Sequence, residues 1–307
     1  MKIAQSAISA FKGRMLFDVP MKDYTSFRIG GNADVMAFPV NEDDLIEVMR
    51  FAAGKGFPVF VIGRGTNLLI RDNGIRGVVI NVSEGFKETI WLEDDAAVAG
   101  SGVLLIELAS LCKDKGLSGL EFAAGIPGTI GGAVFMNAGA YGKEMKDVVE
   151  RVEAVDMNGQ KHSFDNAAMK FSYRGCALPA NMIITKAHLK FKKDNPDEIK
   201  KRMKELKEKR RATQAINLPN AGSIFRNPVE ANGRSPLPSA GKLIEEAGLK
   251  GTKCGDAQIS EVHGNYIVNL GNATAMDVLA LVAMARDKVF KAQGILLETE
   301  ITVVGED

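Results

Sequence analysis

Histidine and cysteine are scarce in this chain, three of each in 307 residues. Cys112, Cys176 and Cys254 are odd in number and widely spaced. That argues against a disulfide framework and against a Cys-x-x-Cys metal site. His162, His188 and His263 form no His-Glu-x-x-His pattern, which argues against a zinc hydrolase, and no metal is expected. Excess charge is missing too. The 39 lysines and arginines against 38 acidic residues leave +1, so no global field collects nucleic acid or anionic lipid. The start, MKIAQSAISAFKGRML, has no continuous apolar stretch of the signal-peptide kind. Phe122 to Gly142 is free of charge and long enough for a membrane span, but Pro127 and many glycines make it a poor helix. It reads as backbone folded closely around something. These absences imply a cytoplasmic protein with no nucleic-acid, membrane or obligate protein partner. If it is an enzyme, its chemistry is carried by something it binds.

What is present is an ordinary core-forming composition, 46% apolar and 25% charged. Asn41 can cap a helix with Glu42, Asp43 and Asp44 in its first turn and an apolar stripe of Leu45, Val48, Met49 and Ala52. It should stop near Gly54–Gly56, before a strand at 58–63. Strands are expected at 77–82 and 96–100, and a helix at about 103–115. Asn158-Gly159 marks a hairpin within 151–164. Residues 183–191 alternate, which turns His188 to solvent. A highly charged helix starts after Asn195-Pro196, so a domain boundary is expected near 195. A helix near 240–248, a strand near 265–269 and a long helix from Thr274 follow. Val278, Leu281, Val282, Ala285 and Val289 stripe that last helix, and ETEITVVG closes the chain as a strand. The class is α+β.

Five motifs could carry chemistry. Gly63-Arg64-Gly65-Thr66-Asn67-Leu68 follows a strand, and such a turn can offer an anion-binding nest. Gly125 to Gly142 holds six glycines in eighteen residues, enough for backbone to approach a large flat ligand. Two glycine-rich loops favour a pyrophosphate-containing dinucleotide held without a Rossmann unit. The others are Tyr173-Arg174, Asn220-Ala221-Gly222-Ser223-Ile224-Phe225-Arg226-Asn227-Pro228, and Leu297-Glu298-Thr299-Glu300. No nucleophile elbow surrounds Ser223. Alternation puts Glu298 and Glu300 on one face, which fits a solvated strand end equally well.

In this order and spacing the motifs resemble the UDP-N-acetylenolpyruvoylglucosamine reductase (MurB) family, from Thr25-Ser26-Phe27-Arg28 to the end of the last strand. The resemblance implies a two-subdomain FAD-binding region of vanillyl-alcohol-oxidase (PCMH) type, at 1–85 and 86–194, and an α+β substrate-binding domain at 195–307. It implies non-covalent FAD, NADPH as reductant and UDP-N-acetylglucosamine enolpyruvate as substrate. Hydride passes from flavin N5 to C3 of the enol ether and a proton to C2. By motif match Ser223 is the proton donor, while Arg174 and Glu300 polarise the substrate carboxylate. Glu300 can do so only when protonated, which requires a raised pKa. Flavin contacts fall on Gly63, Gly65, Thr66, Asn67, Leu68, Gly125, Ile126, Gly128 and Thr129. Tyr173, Arg210, Arg226, Asn227, His263 and Asn265 are candidate substrate contacts. Without the tyrosine-bearing loop of one branch, the chain is similar to the shorter branch. Arg226, Cys176 and Thr299 stand where that family commonly has lysine, serine and proline, and 229–238 look expanded. Another flavoprotein of this fold, an oxidase for instance, or a binding protein without catalysis remains open.

Overall fold

The computed structural model describes residues 11–93, 95–215, 217–229 and 237–307. The reading of the first ten residues, and of most of the expanded 229–238 segment, lies outside them. Two compact units form. The first comprises the chain up to Val19 with Asp34–Arg64 and Arg76–Lys209; the second gathers Pro20–Ala33, Gly65–Ile75 and Arg210–Asp307.

The first unit holds two cores. A four-stranded sheet runs in the order Arg14–Pro20, Asn32–Phe38, Ile75–Asn81, Val59–Ile62, its last pair parallel. Helix Glu42–Lys55 is built as its sequence dictates. Asn41 Oδ1 accepts the Asp44 N–H, Leu45, Val48, Met49 and Ala52 are buried, and Gly56 ends the helix at φ +66°. The second core lies against a five-stranded antiparallel sheet ordered Lys161–Asp165, Val149–Asp156, Met182–Lys190, Ala96–Gly100, Thr89–Leu92. Gly159 turns the first hairpin at φ +82°, a conformation that glycine adopts freely. Helix Leu105–Asp114 packs Leu105, Leu108, Ala109 and Cys112 into this core.

The charged helix spans Pro196–Thr213. Its residues up to Lys209 cluster with the first unit, so the structure separates its units later than the expected boundary at 195. The reason is its buried side: Ile199 and Met203 join the second core. Arg202 also binds Glu121 at 2.7 Å and Asp194 at 2.6 Å. His188 departs from its expected solvated role. Its side chain is 15% exposed and its Nε2 lies 2.7 Å from Glu153 Oε1. The alternation of the strand is right, but a cross-strand carboxylate covers the ring.

In the second unit a small sheet of Lys253–Cys254, Ala257–Ile259 and Ile267–Asn269 joins helices Ala240–Glu246 and Ala275–Gln293. Val278, Leu281, Val282, Ala285 and Val289 are all buried, as their spacing requires. Phe27, Ile29 and Leu69, remote in sequence, complete this core. The closing strand is shorter than expected. Only Thr302–Val304 form one, pairing in parallel with Leu68–Ile70. Among the described residues no helix is long and apolar enough to cross a membrane.

One contact explains part of the grouping of 65–75 with the C-terminal residues. Thr274 and Asp277 form a capping box at the start of the long helix. Asp72 adds a second cap, accepting the N–H groups of Ala275 at 2.8 Å and Met276 at 3.1 Å. Both lie at the positive end of the helix dipole. Asp72→Ala should therefore lower stability by about 1–2 kcal/mol. Urea denaturation would read this as a lower midpoint with the slope preserved.

Candidate active site

The two glycine-rich loops meet through a missing side chain. A Cβ on Gly63 would lie 2.5 Å from Thr129 Oγ1, so only glycine lets the end of strand Val59–Ile62 approach Thr129. Thr129 is buried and its Oγ1 faces the Gly132 N–H at 3.5 Å, starting the short helix Ile130–Phe135. The sequence pointed away from helix in this stretch, yet one turn and a half forms behind that threonine. Gly128 sits at φ +134°, and Gly131 N donates to Ser101 O.

Gly132 has a different environment. It is exposed, and a Cβ there would meet nothing closer than Thr129 Oγ1 at 3.7 Å. The missing side chain leaves open surface there, while the N–H groups of Ile130, Gly131 and Gly132 are taken by Val103 O, Ser101 O and Thr129 Oγ1. That open glycine surface fits a flavin dinucleotide by the room it leaves, not by free first-turn donors. Gly125, Ile126 and Gly128 lie half-buried alongside, while the Ile126 N–H is taken by Ala123 O.

Gly65, Thr66, Asn67 and Leu68 belong to the second unit. Gly65 adopts φ +61° with the Tyr24 carbonyl where a Cβ would point. Asn67 is tied to the end of the chain. Its Nδ2 donates to Glu300 O at 3.1 Å, and its carbonyl accepts the Thr302 N–H at 3.0 Å.

Ser223 and Glu300 share this unit and are brought together through backbone. Glu300 N donates to Ile224 O at 2.8 Å and Arg226 N to Glu298 O at 2.9 Å, flanking a Phe225–Thr299 bridge. Glu298 is exposed and Glu300 half-buried, so the two carboxylates that alternation paired differ in environment. Ser223 follows Gly222, which turns at φ +79°, and is itself half-buried.

On its other edge Phe225 is clamped by Asn265. The Phe225 N–H donates to Asn265 Oδ1 at 2.8 Å, and Asn265 Nδ2 returns a bond to Phe225 O at 2.7 Å. Asn265 is 3% exposed, and its carbonyl takes the Ile224 N–H. The amide stands in for a third strand beside the Ser223 loop. A sequence reading of Asn265 as a ligand contact had no means of seeing that both ends of its amide are occupied. Asn227 differs, being exposed, with its Oδ1 accepting the Ala240 N–H at a helix start.

His263 packs its ring against Gly241, where a Cβ would lie 2.7 Å from Cε1, and edge-on to Tyr266. Its Nδ1 accepts the Asn265 N–H at 3.1 Å. Burial, and then the Lys250 charge, pull its pKa below the ordinary imidazole value. Arg210 is half-buried near the end of helix Pro196–Thr213, where its carbonyl accepts Gln214 N. Burial and then the Glu121 charge push the Cys112 thiol to about 12, which leaves it inert as a nucleophile.

Arg174 lies in the first unit, at the tip of a turn closed by reciprocal Ser172–Gly175 backbone bonds. Its φ is +59°, unusual for a long side chain. Nη2 donates to Gly139 O at 2.9 Å and the guanidinium lies 4.8 Å from the centre of the Tyr173 ring. Arg174 is half-buried and Tyr173 exposed.

Comparison with known proteins agrees along nearly the whole chain. Residues 33–165 match the FAD binding domain family, and 214–304 match the UDP-N-acetylenolpyruvoylglucosamine reductase, C-terminal domain. The UDP-N-acetylenolpyruvoylglucosamine reductase of Caldanaerobacter subterraneus subsp. tengcongensis is 44% identical over 96% of this chain and 95% of that protein. The Anoxybacillus flavithermus protein of the same description is 43% identical over 99% of both. Among solved structures, UDP-N-acetylenolpyruvylglucosamine reductase (MurB) from Thermus caldophilus is similar with a TM-score of 0.78 and 37% identity, covering 95% of this chain and 98% of that one.

Two outcomes test this geometry. Asn265→Leu leaves the buried Phe225 N–H and C=O without partners and should destabilise the protein by roughly 2–5 kcal/mol. Asn265→Asp keeps one acceptor and should fall between that variant and wild type in urea denaturation. For His263, the unfolded chain takes a proton near the ordinary imidazole value of 6.5, before the folded protein does. Stability should therefore decline as pH falls through that value, until the folded imidazole also titrates. His263→Gln should lose that part of the pH slope when denaturation midpoints are compared across pH.

Proposed function

The chain belongs to the UDP-N-acetylenolpyruvoylglucosamine reductase family, and from that premise we propose how its residues divide the reaction. It is a flavoenzyme, with an FAD-binding region of vanillyl-alcohol-oxidase type followed by that family's C-terminal domain. On this reading it reduces UDP-N-acetylglucosamine enolpyruvate to UDP-N-acetylmuramate, with NADPH as reductant, in the cytoplasm. FAD, when bound, supplies hydride to C3 of the enolpyruvyl ether.

Ser223 gives a proton to C2. Its hydroxyl is a weak acid, but C2 becomes carbanion-like once hydride has arrived at its neighbour and is basic enough to take it. Charge also develops on the substrate carboxylate, where fixed positive or hydrogen-bond-donating groups stabilise it. Arg174 suits that carboxylate with a planar, permanently charged fork. Glu300 assists as a neutral acid that donates a hydrogen bond. Arg210 and Arg226 offer charge to the diphosphate, and Tyr173 an aromatic face. The observation that carries this reading is the bonded pairing of 224–226 with 298–300, which holds Ser223 and Glu300 in one register. For the flavin, Gly63, Gly128 and Thr129 shape the first loop pair and Gly125 and Ile126 border it. Gly65, Thr66, Asn67 and Leu68 supply the second segment.

The test is anaerobic bleaching. Purified protein should be yellow, lose its colour with NADPH and regain it on adding UDP-N-acetylglucosamine enolpyruvate. Return of colour only with oxygen would mark an oxidase instead, and a colourless protein that NADPH leaves unchanged would mark a binding module. Ser223→Ala should keep the NADPH step and slow the substrate step by about a hundred- to ten-thousandfold. Both steps intact in that variant would remove Ser223 from its role.

A further inference from the structure

The Tyr173-Arg174 turn is held by a residue that no motif match assigns. Asn137 opens the Asn137-Ala138-Gly139-Ala140-Tyr141-Gly142 segment, is fully buried and adopts φ +42°. Three of the four hydrogen-bonding positions of its amide are in use. Nδ2 donates to Ser172 O and to Glu144 Oε2, each at 2.9 Å, and Oδ1 accepts the Lys146 N–H at 3.0 Å. The Ser172 carbonyl is one of the two groups that close the Arg174 turn, accepting the Gly175 N–H at 3.3 Å. Two residues beyond Asn137, the Gly139 carbonyl receives the Arg174 guanidinium. One buried amide therefore fixes the base of the turn by its side chain, and by its backbone the segment on which the arginine head rests.

That arrangement has an energetic reason. A non-glycine residue in the left-handed region is strained and persists only where its surroundings over-determine it. Arg174 is such a residue, and its turn is closed by a single reciprocal pair of backbone bonds. The Asn137 bond to Ser172 O is shorter than the Gly175 bond to the same oxygen. We propose that Asn137 is a positioning residue for the enzyme's carboxylate-binding arginine: it holds the Ser172–Gly175 turn so that the Arg174 guanidinium is aimed before substrate arrives. This rests on the role given to Arg174 above.

Asn137→Gly deletes the amide while keeping a residue at ease with positive φ. In flavin-free protein, hydrogen exchange at the Ser172–Gly175 amides should speed up, with exchange in the Ala96–Gly100 and Met182–Lys190 strands unchanged. In flavin-loaded protein, bleaching by NADPH should stay within about twofold of wild type. Reoxidation by the enolpyruvyl substrate should slow by about 10- to 100-fold, as expected for a misaimed binding group. Added to Arg174→Ala, it should cause no further loss in that step.

Unchanged exchange at the turn, or effects that multiply with Arg174→Ala, would overturn the proposal. A harmless Arg174→Ala would instead overturn the role of Arg174 and with it the catalytic part of this inference, while the exchange experiment would still judge the hold on the turn. Should the glycine variant fail to fold, Asn137→Asp serves in its place. It keeps the size, loses both amide donors and sets a second carboxylate beside Glu144. Exchange at its Ser172–Gly175 amides should speed up and its substrate step should slow, with the NADPH step kept. Wild-type exchange at the turn in that variant would also overturn the proposal.

Discussion

A parallel pairing of three residues, Thr302–Val304 on Leu68–Ile70, sets the register of the second unit. From it the constraints run outward in order. Asn67, just before the pairing, bonds to Glu300 and Thr302. Residues 298–300 then bond to 224–226, and Asn265 clamps Phe225 from the far edge. A slip by one residue in the first pairing would break each later bond, because extended chain exchanges its faces with every residue. The relative placement of Ser223 and Glu300 thus depends on a strand pair that contains neither.

Asparagine does much of the work that regular secondary structure does elsewhere. Glycine-rich loops allow close approach but leave peptide groups without ladder partners, and a buried peptide group without a partner is destabilising. Asn265 bonds both peptide groups of Phe225. Asn269 donates to the carbonyls of Phe27 and Arg28, and Asn220 to those of Ala215 and Leu218. Asn137 serves Ser172 and Lys146 in the same way. Each amide imitates a short piece of strand, with one donor edge and one acceptor edge, where no strand could fit.

That device explains what was legible in the sequence and what was not. Helices Glu42–Lys55 and Ala275–Gln293 announce themselves through caps and stripes, because both signals are local. The Asn158-Gly159 turn is likewise local. The recruitment of 20–33 and 65–75 into the second unit was hidden, since it rests on Asp72, Leu69 and Phe27 meeting residues about two hundred positions away. The closing strand was read too long because alternation does not tell a ladder from a single bridge. His188 was read as solvated because alternation gives the face of a strand but not the cross-strand neighbour. For the candidate site, the motifs drew attention to loops and not to the bonds that hold them. They did not show that the Asn265 amide is engaged at both ends by Phe225.

The discontinuity of the second unit also bears on the order in which the chain can fold during synthesis. Leu68–Ile70 emerges from the ribosome more than two hundred residues before its partner strand, and Phe27 longer still before the Asn269 amide that holds its carbonyl. These early segments can nucleate nothing alone, and loop closure over such a separation is slow. The glycine-flanked stretch around Leu68 must pass that interval as an unpaired apolar edge. Nascent chains of this protein should therefore be most exposed to chaperone capture and aggregation until the last strand is made.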